Sequence, residues 1–193
     1  MEKIGEVIEA RTGQFLAQCY RLHEAPPLGC LVKTRSGSTD IYGVVASAST
    51  HSLDPGRRVI ARGEHESTDD AVFTTNPQLA RLLITDFTVI ITGHKSDGVM
   101  RHYLPPHPAR IHAFVNICPS EEAKEFAISL DFIDLIVAAE RDFAVDEIVA
   151  ACLRRLATIQ ADPQDFLVRA GKHLTVLMFE EFQRLNSILK RLK

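Results

Sequence analysis

Three histidines stand five residues apart, at His102, His107 and His112, in a stretch that also holds Pro105, Pro106 and Pro108. Imidazole is a common zinc ligand, and a catalytic zinc needs about three protein ligands. The spacing argues against such a site. Five residues along a strand reverse the face, and the prolines prevent one regular helix from gathering the rings. No metal is expected, and the three are read as exposed or locally hydrogen-bonded. Arg57, Arg58 and Arg62 have the chemistry to grip phosphate. Glu64, Glu66, Asp69 and Asp70 follow closely and offset them, so a solvated rim is the better reading. Arg154-Arg155 and Lys190-Arg191-Lys193 fall near expected helix ends, where cations complement the macrodipole without any ligand.

The nucleophile motifs are equally bare. Cys19, Cys30, Cys118 and Cys152 form no C-x-x-C pair and sit inside apolar segments. They read as reduced core thiols, which fits a cytoplasmic location. No serine stands in G-x-S-x-G. Asp131, Asp134 and Asp142 have no spacing that argues a carboxylate pair. Gly171-Lys172 is followed by His173, and Phe166 stands where a phosphate-binding loop needs its first glycine. No catalytic residue, cofactor or metal is assigned, and the chain reads as a non-enzyme.

At 193 residues the chain is one large domain or two small ones. Its net charge of −3 argues against a dedicated nucleic-acid binder, and the absence of tryptophan leaves few aromatics on which bases would stack. The N-terminus reads as a charged strand rather than a signal peptide, and no apolar run approaches membrane-spanning length.

The elements that position these residues change period near Pro119. Before it, apolar residues alternate. Lys3–Ala10 and Gln14–Leu22 read as strands, the second with Phe15, Ala17 and Cys19 on one face. Pro26–Arg58 reads as a hairpin on which the rest is organised. Cys30, Val32 and Thr34 share its core face, while Leu31, Lys33 and Arg35 share the other, which the two cations mark as the outer one. Ser36–Asp40 is the loop, and Ile41–Ala48 the returning strand, with Gly43 at a bend or bulge. Asp54-Pro55-Gly56 is a turn. Arg58–Arg62 reads as a short further strand. Asn76-Pro77 has the form of an N-cap and first-position proline, opening a short helix with Leu79, Leu82 and Leu83 inward. Asp86–His94, Val99–Leu104 and Ala113–Cys118 are the remaining strands. Beyond Pro119 the period becomes helical. Ser120 is an expected N-cap, a second helix starts near Val145, and Asp162-Pro163 opens a helix able to run to the C-terminus. The fold class is therefore α+β: a small β-barrel with a short inserted helix over 1–118, then an α-helical bundle over 119–193.

Ile4-Gly5-Glu6-Val7-Ile8, Phe15, Pro27-Leu28-Gly29 with Val32, and Tyr42-Gly43-Val44-Val45 together resemble the HAS-barrel. This is the N-terminal barrel of HerA-type DNA translocases and of rotary ATP synthase subunits. The resemblance covers roughly the first half of the chain. It implies a barrel that performs no chemistry, sits beside an ATPase core and helps subunits assemble. The phosphate-binding loop of that core is missing from this sequence, so the family's ATPase activity does not carry over.

The resulting expectation is a non-catalytic assembly or adaptor module that binds a protein, with an ATPase as a possible partner. Two alternatives stand beside it: a nucleic-acid-associated accessory protein linked to a HerA-type translocase, and an enzyme with an unrecognised site. The expected contact surface is the second half of the last helix, where Met178, Phe182, Leu185, Leu189 and Leu192 step by four and three. Leu185, Leu189 and Leu192 are assigned to self-association or to a partner helix.

Overall fold

The computed structural model describes residues 3–139 and 142–192. Six antiparallel strands close on themselves: β1 (Lys3–Ala10), β2 (Gln14–Cys19), β3 (Leu31–Ser36), β4 (Thr39–Ser52), β5 (Leu83–Ser96) and β7 (Phe114–Ile117). Their order around the barrel is β2-β1-β7-β3-β4-β5, and β2 pairs with β5 to complete the ring. The short β6 (Val99–Arg101) pairs only with the end of β5. The helices that follow are α3 (Ser120–Phe126), α4 (Phe132–Val137), α5 (Val145–Ala157), α6 (Pro163–Leu177) and α7 (Phe182–Arg191). The architecture is α+β, with a closed six-stranded barrel in the first half and helices after it.

The strand pattern explains the barrel interior. Val7, Phe15, Ala17, Cys19, Cys30, Val32, Ile41, Val45, Phe87, Val89, Ile91 and Val115 fill it, each from an inward strand or strand-approach position. Gly43 sits where the β4–β5 register shifts, and a Cβ there would lie 2.4 Å from Val89 Cγ1 and 2.6 Å from the Ile90 carbonyl oxygen. The bulge at this glycine lets the wall curve without a side chain striking the neighbouring strand.

The outer face departs from expectation. Leu31, Tyr42, Val44, Ala46 and Ile90 point away from the barrel and are buried in a second core with the helices. Helix α5 covers this wall. Gly29 has φ 75°, and a Cβ on it would stand 2.4 Å from the Cys152 backbone nitrogen. Only glycine allows that approach and that left-handed backbone together. Lys33, expected in solvent, is half-buried and meets Glu122 of α3 at 2.6 Å.

Three further expectations are corrected. Arg58–Arg62 is not a strand, because it lies beyond the barrel with no ladder to join. Asn76 ends a helix rather than starting one. Helix α1 (Asp69–Thr75) is capped by Thr68, whose hydroxyl accepts the Ala71 N–H at 3.2 Å, and Asn76 closes it before Pro77, which biases its predecessor out of the helical region. The single turn α2 (Leu79–Leu82) buries none of its residues. The chain from Asp162 does not continue as one helix to the end. Asp162 caps α6 as expected, accepting the Asp165 N–H at 2.9 Å, but the chain turns at Met178–Glu181. A straight helix of some 30 residues would reach about 45 Å, against about 20 Å for α5, and so would leave its own apolar face uncovered. The turn instead lays α7 along α5, tied by Arg184 to Asp146 at 2.7 Å and by Arg191 to Glu147.

The bulge yields a direct prediction. Gly43→Val should lower the urea midpoint by the equivalent of about 1–3 kcal/mol at an unchanged slope, through strain and clash against Val89 and the Ile90 backbone. An unchanged midpoint would show that the wall has room there.

Candidate functional site

The expected histidine, arginine and leucine sites resolve as follows. His102 is packed edge-on to Phe126 at 4.7 Å, and burial lowers its pKa, so it stays neutral and apolar in function. His107 and His112 are exposed, and His112 meets Glu6 at 3.2 Å. The three are not gathered, and among the described residues no group of three or more His, Cys, Asp or Glu is placed to hold a metal. Leu185 is buried inside the chain's own core, and Leu189 and Leu192 pack half-buried against it. The projecting helix that motivated their assignment is not formed. The exposed apolar residues of this region are instead Val176, Phe179 and Phe182, at the α6–α7 corner.

Two polar clusters were not foreseen. Glu122 accepts from Lys33 and from the phenol of Tyr42, joining α3 to the wall of β3 and β4. Burial first, then the hydrogen bond to Glu122, pushes the Tyr42 pKa far up, so the phenol remains a donor. The signal in the sequence was non-local: eighty residues separate Tyr42 from Glu122. The second cluster lies where β4 and β5 run on beyond the barrel. The His51 ring meets Asp86, which is buried, at 3.1 Å, and the Thr50 and Thr85 hydroxyls share a hydrogen bond of 2.8 Å. The Ser52 carbonyl, with Asp86 adding to it, raises the His51 pKa. A base beside a buried carboxylate is half of a nucleophile-activating set. The thiol on the adjoining strand does not complete it. Burial, then the charges of Asp86 and Glu24, pushes Cys19 up to about 11, far from a reactive thiolate at neutral pH. The cluster clamps the base of the strand pair.

That strand pair carries the most unusual surface of the chain. Leu53 N–H donates to the Leu82 carbonyl at 2.8 Å, and between them residues 53–82 leave the barrel and return without one buried residue. Phe73 of α1 touches the ring of His23 at 5.6 Å and holds the arm back toward the barrel. Beyond the Asp54-Pro55-Gly56 turn, Val59 and Ile60 are exposed by half or more, flanked by Arg57, Arg58 and Arg62. None of these three arginines pairs with a carboxylate among the described residues. Val59 and Ile60 thus stand exposed within a cationic frame.

A further groove of about 680 Å³ lies where the barrel meets α5, with Leu28, Cys30, Cys118, Arg154 and Arg155 in its lining. Arg155 donates to the Leu28 carbonyl at 3.1 Å. Among the described residues no helix is long and apolar enough to cross a membrane. No family model matches the chain, and no curated protein sequence matches it.

The buried thiols and phenol predict an alkaline limit. Burial raises Cys118 and Cys152 from 9.0 to about 12, and Cys19 from 9.0 to about 11. The folded chain therefore keeps protons that the unfolded chain has shed. The stability these protons confer is fully present below pH 9 and is lost progressively as pH climbs from 9 through 11 and 12. Urea midpoints measured at about pH 8 and about pH 10.5 should fall sharply between the two. An unchanged midpoint would show that these groups are not held in their protonated forms.

Proposed function

We propose that this protein is a non-catalytic assembly or adaptor module. Its barrel is read as a HAS-barrel standing apart from any motor, and its helices as a bundle that braces the barrel and adds a second contact surface. The observation that carries the reading is the arm over residues 53–82, in which no residue is fully buried and Leu53, Val59 and Ile60 are exposed. Exposed apolar groups of this kind mark surfaces that another macromolecule covers. The partner is a protein, and the resemblance of the barrel points to an ATPase. The cationic rim of Arg57, Arg58 and Arg62 keeps a nucleic-acid role as the competing reading.

The test compares the wild type with Val59→Asp/Ile60→Asp as baits in the native cell, with far-UV circular dichroism as the control for folding. The wild type should retain a defined protein that the variant loses by about tenfold or more. Equal recovery by both baits would remove the arm from the contact. Tight association with DNA, weakening steeply with salt and insensitive to the apolar substitutions, would favour the nucleic-acid reading.

A further inference from the structure

We propose that the seam between β3 and β7 is a docking slot for an extended, acidic peptide segment of a partner protein, bound by backbone pairing. The proposal rests on the adaptor reading and gives its partner a chemistry. The β3–β4 hairpin turns on two residues, with Ser36 opposite Thr39, so alternate residues of β3 turn their backbone groups away from β4. Leu31, Lys33 and Arg35 are those residues. The Leu31 carbonyl accordingly accepts the N–H of Cys118, at the end of β7. The ladder between β3 and β7 then consists of Val32 with Ile117 and Lys33 with Asn116, and it stops there. The next pairs in that register, Thr34 with Val115 and Arg35 with Phe114, are not formed.

The cause is local. The chain before β7 is held by β1, through Val7 N–H to the Ala113 carbonyl at 2.9 Å and His112 N–H to the Val7 carbonyl at 2.8 Å. His112 takes φ 65° to make that path. Residues 110–114 therefore follow β1 while β3 continues toward its own turn, and the wall splits between them. The split is a groove of about 560 Å³, with Thr34, Arg35 and Gly37 on one bank and Arg110, His112 and Phe114 on the other. That is within the roughly 300–1,000 Å³ of ligand pockets.

Two observations fix the occupant. An interrupted ladder offers strand edges, and an extended peptide is the ligand that matches them group for group. The charges select the side chains. Lys33 is engaged by Glu122, and Asp40, the acid of the lining, is engaged by Arg35 at 2.8 Å. Arg110 is exposed and meets no carboxylate among the described residues, so the cation left over is a guanidinium at the mouth of the slot. A carboxylate on the incoming strand completes it.

The probe is a capped pentapeptide, acetyl-Val-Glu-Val-Glu-Val-amide, titrated into the isotope-labelled full chain and followed by amide resonances and amide hydrogen exchange. The Arg35 and Phe114 amides should shift and slow in exchange by about tenfold or more at saturation. The lysine counterpart of the peptide and a backbone N-methylated version should leave them unchanged. Arg110→Ser should weaken binding by about fivefold or more while the spectrum of the free protein stays that of the wild type outside the seam. Absence of protection at Arg35 and Phe114 at millimolar peptide overturns the slot. So does equal response to the lysine or N-methylated peptide, or binding that maps elsewhere. The outcome is separable from the adaptor reading, because peptide protection requires no cellular partner and leaves the arm intact.

Discussion

The contact of Gly29 with helix α5 is the constraint on which the structure depends. At this position a hydrogen is the largest group that fits, with the Cys152 nitrogen 2.4 Å from where a Cβ would stand. The Gly29 N–H donates to the Val45 carbonyl, and Arg155, one turn along α5, donates to the Leu28 carbonyl. The chain approaching β3 is thereby pressed between the barrel wall and the helix. The wall in turn receives cover for Leu31, Tyr42, Val44 and Ile90, side chains that each contribute about 1.5–3 kcal/mol when fully buried. Without that cover the barrel would present an apolar flank to water.

From that contact the remaining arrangement follows. The barrel wall is buried on both faces along Ile41–Ala46, so its stiffness is that of a core and not of a surface sheet. Glu122 adds a polar fastening at the other end of the wall, taking a cation from β3 and a phenol from β4. The parts of the chain outside this double core differ in kind. The arm over 53–82 holds no fully buried residue, and the seam between β3 and β7 leaves a ladder unfinished. A frame ordered in this way has already met its conformational entropy cost on folding, so contacts made at its edges carry little of it.

Much of the barrel was legible because alternation reports one buried face. Phe15, Ala17 and Cys19, then Phe87, Val89 and Ile91, are inward where their spacing puts them. Gly43 was legible as a bulge because a strand otherwise has little use for glycine. Burial of the second face was not legible. Leu31 and Lys33 look like any outer strand face until α5 and α3 are laid over them, and nothing local in β3 announces helices that begin only at Ser120 and Val145. Asn76-Pro77 has the stronger local cap pattern, yet in the fold the proline ends the helix that Thr68 begins. The turn at Met178–Glu181 contains neither glycine nor proline, so no local residue marks it, and only the packing of α7 on α5 shows where the chain folds back. The candidate surfaces were hidden for the same reason. The seam arises from a competition between β1 and β3 for the chain before β7, and the single sequence carries the competitors without their register.

The central claim is that barrel and helices are one cooperative frame, with the arm outside it. Native-state hydrogen exchange over a denaturant series measures this directly. Amides of Val44 and Ile90 in the wall, and of Leu153 and Phe166 in the helices, should converge on one opening free energy, while amides of residues 57–63 exchange with little protection. Barrel amides that keep their protection after those of α5 have exchanged would contradict the account, since the frame would then be two independent units and the Gly29 contact incidental.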